Sequence, residues 1–304
     1  MRITRRRFLA AGAAAGLLPR PIWARTSVSG AQWQLDTLSD GSLTLPYSFL
    51  TVDPPDATSA EILARHGIAE GQPITPPCNL TLWRDGVNTV LFDAGAGPDF
   101  MPSAGKLSEA FDALDVSVED VTHVVFTHAH PDHLWGVLDD FDEPVFVNAT
   151  HMIGGVEHDY WMDPATADTI GEARAAFAAG AKRRLEMLED IIVTFGDGEE
   201  ILPGVTAVMT PGHTPGHMAL RLGGDTESVM VLGDCIGNAH LAFEAPDVLA
   251  GSDQDPGVAA MTRRALLDRL AGENQLFVGF HLPEGGIGRA VANASAYRFV
   301  PEAG

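Results

Sequence analysis

Short apolar runs separated by clusters of glycine, proline and aspartate dominate this chain, and the 3.6-residue period of a helix surfaces only between them. Residues 32–38 and 42–48 read as a hairpin turning at Asp40-Gly41, and residues 79–84 and 88–93 as a second one around Asp85-Gly86. A short helix is predicted over 58–66, ended by Gly67, and another over 107–114; the proline-rich stretch 71–77 reads as a connector or a flap. The apolar residues of 121–127 predict a core strand, and 144–147 a further one. Helices are expected over 149–160 and 166–190, the second long and amphipathic with Arg174, Lys182, Arg183 and Arg184 on exposed faces. Strands follow at 191–195, 205–209, 217–222, 228–232 and 275–279, with a helix starting near Pro256 and including 263–270.

The densest chemistry lies just past the strand at 121–127, where His128, His130, Asp132 and His133 form H-x-H-x-D-H. Pro131 lacks the amide proton that continuing the strand would need, so these residues sit on a loop at a strand end. Neutral imidazoles suit zinc and similar borderline cations, and a carboxylate adds charge, so the cluster fits one metal ion or two close together. Residues 210–217, TPGHTPGH, place His213 and His217 at another strand end. Asp234 and Cys235 follow the strand at 228–232; neighbouring side chains leave a strand on opposite faces, so only one of the pair easily faces a site there. His281 follows the strand at 275–279.

His128-Ala129-His130-Pro131-Asp132-His133, Thr210-Pro211-Gly212-His213, Gly233-Asp234 and His281 resemble, in order and approximate spacing, the metallo-β-lactamase-fold hydrolases. The likeness covers most of the chain from about residue 32, and its carboxyl-terminal part, from Asp253 to Leu270 and over Gly279-Phe280-His281-Leu282-Pro283, looks most like the methyl parathion hydrolase and lactonase branch. The resemblance implies an α+β fold, a four-layer αββα sandwich with the site between the sheets. It implies two divalent cations, zinc before others, one held by His128, His130 and His213 and the other by Asp132, His133 and His281, with Asp234 and a hydroxide bridging them. Asp132 and Asp234 are then the carboxylates at the reacting centre, Cys235 is packed, and His217 is structural. Leu91-Phe92-Asp93-Ala94-Gly95 resembles the family's strand-end aspartate motif, which would put Asp93 beneath the ligands to fix an imidazole tautomer. The implied activity is hydrolysis of neutral esters or lactones, phosphotriesters included. A one-iron sulfur dioxygenase, a thioesterase and a β-lactamase are the alternatives.

At 304 residues, 45% hydrophobic and 20% charged, the chain has the composition of a globular protein with a sizeable core. Residues 1–24 stand apart: Thr4-Arg5-Arg6-Arg7-Phe8-Leu9 resembles a twin-arginine export signal, and the apolar stretch after it is too short to span a bilayer. The expectation is therefore a signal over 1–24, cleaved after Ala24, a single domain over 25–304, and a periplasmic or otherwise exported protein with no membrane insertion once the signal is removed. Five of the 19 lysines and arginines fall in the signal, which leaves 14 basic against 41 acidic residues, a net charge of −27, over 25–304. Such a field repels nucleic-acid phosphates and anionic membranes, and with Lys106 and Lys182 as the only lysines it disfavours a highly anionic substrate; a small neutral molecule is the expected partner. Cys78 and Cys235 are expected to stay unpaired, because export after folding weakens the usual inference from an oxidising compartment. Trp135, Tyr160 and Trp161 read as core before pocket wall, and His66, His123, His151, His158 and His240 carry no motif.

Overall fold

The computed structural model describes residues 24–52, 55–224 and 227–302; all of the signal stretch except Ala24 lies outside them. The two halves of the chain build one seven-stranded sheet each. In the first, β1 (Ala24–Ser29), β2 (Gln34–Ser42), β3 (Pro77–Arg84) and β4 (Thr89–Phe92) pair antiparallel, and β5 (His123–Phe126), β6 (Thr150–Gly154) and β7 (Ile192–Phe195) add on in parallel. In the second, β8 (Glu200–Leu202), β9 (Val205–Met209), β10 (Met218–Gly223) and β11 (Ser228–Val231) are antiparallel neighbours. β12 (Leu276–Val278) lies parallel to β11, and β13 (Ile287–Asn293) and β14 (Ala296–Pro301) close the edge antiparallel.

The apolar runs are continuous rather than alternating because both faces of each sheet are covered. Val90 and Phe92 of β4 and Val125 of β5 point between the sheets, where they meet Leu220, Val229 and Val278. Leu91, Val124 and Phe126 point outwards beneath α2 (Leu107–Leu114) and α6 (Ala175–Met187), against Phe111, Ala178 and Leu185. On the far side, Met230 and Phe277 pack under Leu266, Leu267 and Leu270 of α8 (Pro256–Gly272). The result is the four-layer αββα sandwich. Burial of a side chain such as Phe92 or Phe126 contributes about 1.5–3 kcal/mol.

Several local expectations are corrected. Asp40-Gly41 does not turn: β2 runs through it with a register shift, because the Asp40 carboxylate accepts the N–H groups of Ala96, Gly105 and Leu107 at 2.8, 3.1 and 2.8 Å. Burial raises that carboxyl to about 6 against the pull of those hydrogen bonds. Residues 144–147 form no strand; Pro144 makes one isolated bridge to Leu138. The strand is instead β6, inside the stretch read as helix, and α4 begins only at Gly155 (Gly155–Met162). The long helix over 166–190 breaks at Gly171, φ 95°, into α5 (Thr166–Thr169), a 3-10 turn at Glu172–Arg174, and α6. Arg184 is buried, not exposed: its guanidinium lies 4.3 Å from the centre of the Trp135 ring and donates to the carbonyls of Trp135 and Gly180.

His151 on β6 is fully buried, and neither ring nitrogen has a hydrogen-bond partner. Burial pushes its pKa down from 6.5 to about 4, so the unfolded chain binds the proton first and stability is lost as pH falls from 6.5 towards 4. His151→Leu should therefore narrow the stability difference between pH 8 and pH 5 by about 2 kcal/mol, read from paired denaturant titrations. An unchanged pH dependence would place the acid sensitivity elsewhere.

Candidate metal centre

Strand ends bring the candidate ligands together. β5 delivers His128, and His130 caps a single helical turn, α3 (Pro131–Leu134), whose Pro131 needs no amide partner at that position and which presents Asp132 and His133. The loop between β9 and β10 supplies His213; the parallel neighbours β11 and β12 end side by side and supply Asp234 and His281. All seven residues are at least nine-tenths buried. Gly233, φ 52°, lets the chain turn there, since a Cβ would stand 2.6 Å from His217 Nε2 and 2.9 Å from Thr127 Oγ1.

Two groups of donors converge. His130 Nδ1 lies 3.0 Å from His128 Nε2 and 2.9 Å from His213 Nε2. His133 Nε2 lies 3.4 Å from Asp132 Oδ2 and 3.3 Å from Asp234 Oδ1, while His281 Nε2 lies 3.3 Å from Asp132 Oδ2. Asp234 Oδ2 touches both groups, 3.4 Å from His213 Nε2 and 3.2 Å from His281 Nε2. Within each of the sets His128, His130, His213 and Asp132, His133, Asp234, His281, the ligand atoms lie within 4.8 Å of one another.

Partners on the far side of each ring fix which nitrogen faces inwards. His133 Nδ1 donates to Asp93 Oδ2 at 2.7 Å, His213 Nδ1 to Asp253 Oδ1 at 3.0 Å, and His281 Nδ1 to the Pro77 carbonyl at 2.8 Å. Thr127 Oγ1 lies 3.1 Å from His128 Nδ1 and spends its own proton on Asp93. The Nε2 lone pairs of these four rings are therefore turned into the site, and His130 offers Nδ1. Asp93, with φ 64°, occupies the place under the ligands that its motif suggested. Asp253 carries no sequence signal of this kind; it is held in turn by Arg263, 3.4 Å away.

This donor set fits divalent cations. Asp132 Oδ2, Asp234 Oδ1 and His133 Nε2 are buried without a hydrogen-bond partner, and such acceptors are costly unless something positive meets them. Burial, reinforced by neighbouring imidazoles, pushes His128 and His130 well below the ordinary histidine range, the neutral state that ligation needs. Against burial, the carboxylates of Asp234 and Asp132 push His133 and His281 well above it, so protons are drawn to where a cation's charge would act.

Cys235 faces away, its thiol donating to the Leu232 carbonyl among the residues under α8. Cys78 is also free and buried, its thiol pushed up to about 12, so the two cysteines form no bridge. His217 is structural: Nδ1 meets Thr210 Oγ1 at 2.8 Å, and Nε2 accepts the Asp234 N–H at 3.0 Å.

A cavity of about 500 Å³ opens onto His130, Asp132, His213, Asp234 and His281. Leu45, Phe49, Ile68, Ile74, Phe100 and Phe177 give it apolar walls. The stretch 71–77 is one side of it, tied back by the Leu45–Ile74 bridge. Trp135, Tyr160 and Trp161 are not in the wall; phenylalanines that sequence reasoning passed over are. Of the histidines without a motif, His240 alone lines the cavity.

Residues 75–281 match the family model of the metallo-beta-lactamase superfamily. Among solved structures, the chain superposes on hydrolase AbOPH of the beta lactamase superfamily with a TM-score of 0.85 at 25% identity, covering 93% of this chain and 99% of that one. AidC, a dizinc quorum-quenching lactonase, gives a TM-score of 0.84 at 22% identity over the same shares. The N-acyl homoserine lactonase AttM of Rhizobium radiobacter is 32% identical over 111 residues, which span 36% of this chain and only 38% of that lactonase. The family match, the sandwich and the ligand-bearing strand ends agree: the chain belongs to the metallo-beta-lactamase superfamily.

Proposed function

We propose that the protein is a two-cation hydrolase of neutral esters or lactones with an apolar acyl part. In this reading His128, His130 and His213 hold one ion and Asp132, His133 and His281 the other, with Asp234 between them. The observation that carries it is the Asp234 carboxylate, whose Oδ2 stands 3.4 Å from a donor of one group and 3.2 Å from a donor of the other. Two divalent cations there, zinc by the chemistry of the donors, would supply a hydroxide nucleophile at neutral pH and Lewis-acid polarisation of a carbonyl or phosphoryl oxygen.

The chain's own residues supply the rest. Asp93 and Asp253 keep the protons of His133 and His213 on Nδ1, away from the reacting side. The apolar walls exclude water around an acyl chain and strengthen electrostatic interactions at the donors. Two arginines reach the cavity, but both are occupied. Arg263 donates to Pro246 O, Val248 O and Asp253, and Arg174 to Gly251 O and Ser252 O. Arg221 lies outside the lining and donates to Gly224 O. These bonds support a neutral substrate, as does the net charge. The twin-arginine stretch supports export as part of the same proposal.

The test measures metal per chain and hydrolysis of a lactone and of matched neutral and carboxylated esters on one sample. About two zinc-like ions, activity lost to a chelator, and a higher kcat/KM for the neutral ester that converges on the anionic one as salt rises are expected. One iron per chain with no hydrolysis would overturn the reading in favour of a sulfur dioxygenase, and a preference for the anion would redirect it towards a thioesterase or β-lactamase.

A further inference from the structure

Glu157, in the first turn of α4, has no exposed surface. Its Oε1 accepts the Ala129 N–H at 3.0 Å and the Trp161 Nε1–H at 2.6 Å. Its Oε2 accepts the Thr214 hydroxyl at 2.7 Å and the Gly216 N–H at 3.0 Å. Ala129 stands between His128 and His130, and Thr214 and Gly216 follow His213. One carboxylate thus ties together the two loops that carry every donor of the first group. Gly216 makes the approach possible, since a Cβ there would stand 2.1 Å from the Glu157 nitrogen.

The second group is anchored elsewhere. Asp93 holds His133, and the Pro77 carbonyl holds His281, whose loop is pinned by Asn79 Nδ2 donating to Phe280 O and Leu282 O at 2.9 and 2.8 Å. None of these contacts involves Glu157.

We propose that Glu157 is a positioning residue that sets the spacing of His128 and His130 against His213, and so the cation affinity of that group alone. Imidazole nitrogens must meet a zinc ion at about 2.0–2.1 Å, a tolerance that a small shift of one loop exceeds. All four of its partners can donate, which only a carboxylate satisfies; an amide in its place would turn an NH₂ towards donors on one side. This inference rests on the two-cation reading above.

The experiment loads wild type, Glu157→Gln and Thr214→Val with zinc, then removes metal with graded chelator while ring-nitrogen NMR reports which imidazoles stay liganded. In Glu157→Gln, one ion should leave at about 10–100-fold weaker chelation, with His128, His130 and His213 losing their ligand signature while His133 and His281 keep theirs. Thr214→Val, which removes one donor and keeps the carboxylate, should shift the same ion less; it carries the test by itself if Glu157→Gln does not fold. Equal weakening of both ions, or no shift, would overturn the proposal. Fewer than two ions in wild type would overturn the two-cation reading, and this inference with it, before any variant is examined.

Discussion

His213→Ala is expected to empty the His128, His130, His213 group and to lower kcat/KM on the order of 10³-fold, and His128→Ala should do the same. Each variant leaves two inward nitrogens where three now lie within 4.8 Å of one another. Lewis-acid polarisation contributes several kcal/mol, and about 4 kcal/mol corresponds to roughly 10³-fold in rate. Metal analysis after dialysis, with kinetics on the same sample, measures both quantities. Two retained ions and wild-type turnover in either variant would remove these residues from the site.

Asp234→Asn should have an effect of similar size through charge rather than through a lost contact, since asparagine keeps the shape and one oxygen. The carboxylate faces His213 on one side and His281 on the other, so neutralising it weakens both groups and should leave about one ion per chain at low free metal. Its neighbour is the internal control. Serine can keep the bond that the Cys235 thiol makes to Leu232 O, so Cys235→Ser should retain both ions. Loss of metal in the cysteine variant but not in Asp234→Asn would reverse the assignment of which neighbour faces the site.

The candidate ligands were legible because each sits at the end of an apolar run, where a strand must stop and histidine or aspartate has no core role. The sandwich was legible with them, through the resemblance those motifs carry. The failures have local causes. Asp40-Gly41 has the composition of a turn, but the same carboxylate can gather three distant amides, and sequence cannot show that Ala96, Gly105 and Leu107 come near. The run at 151–154 is too short for periodicity to separate a buried strand from a helix, so in sequence β6 merges with the helix that follows it. Glu157 is a single acid without a motif, and the stretch that Asp253 opens resembles the branch without marking Asp253 as a partner of His213; only the fold brings both acids to the loops they hold.

The cavity is covered by two long connections, one joining β2 to β3 and the other crossing from β11 to its parallel neighbour β12. The crossover begins just before Asp234 and leads through β12 to His281, while its middle supplies Asn238, His240, Ala250 and Ser252 to the wall. In the proposed reading, the residues that would hold the cations sit at strand ends, while most of the apolar wall that would meet the substrate, Leu45, Phe49, Ile68 and Ile74, sits on the β2 to β3 connection. Such a division would let the wall vary while the donors stay in place: the β2 to β3 connection carries none of the candidate ligands, so a descendant chain could change it and alter which molecule fits without disturbing them.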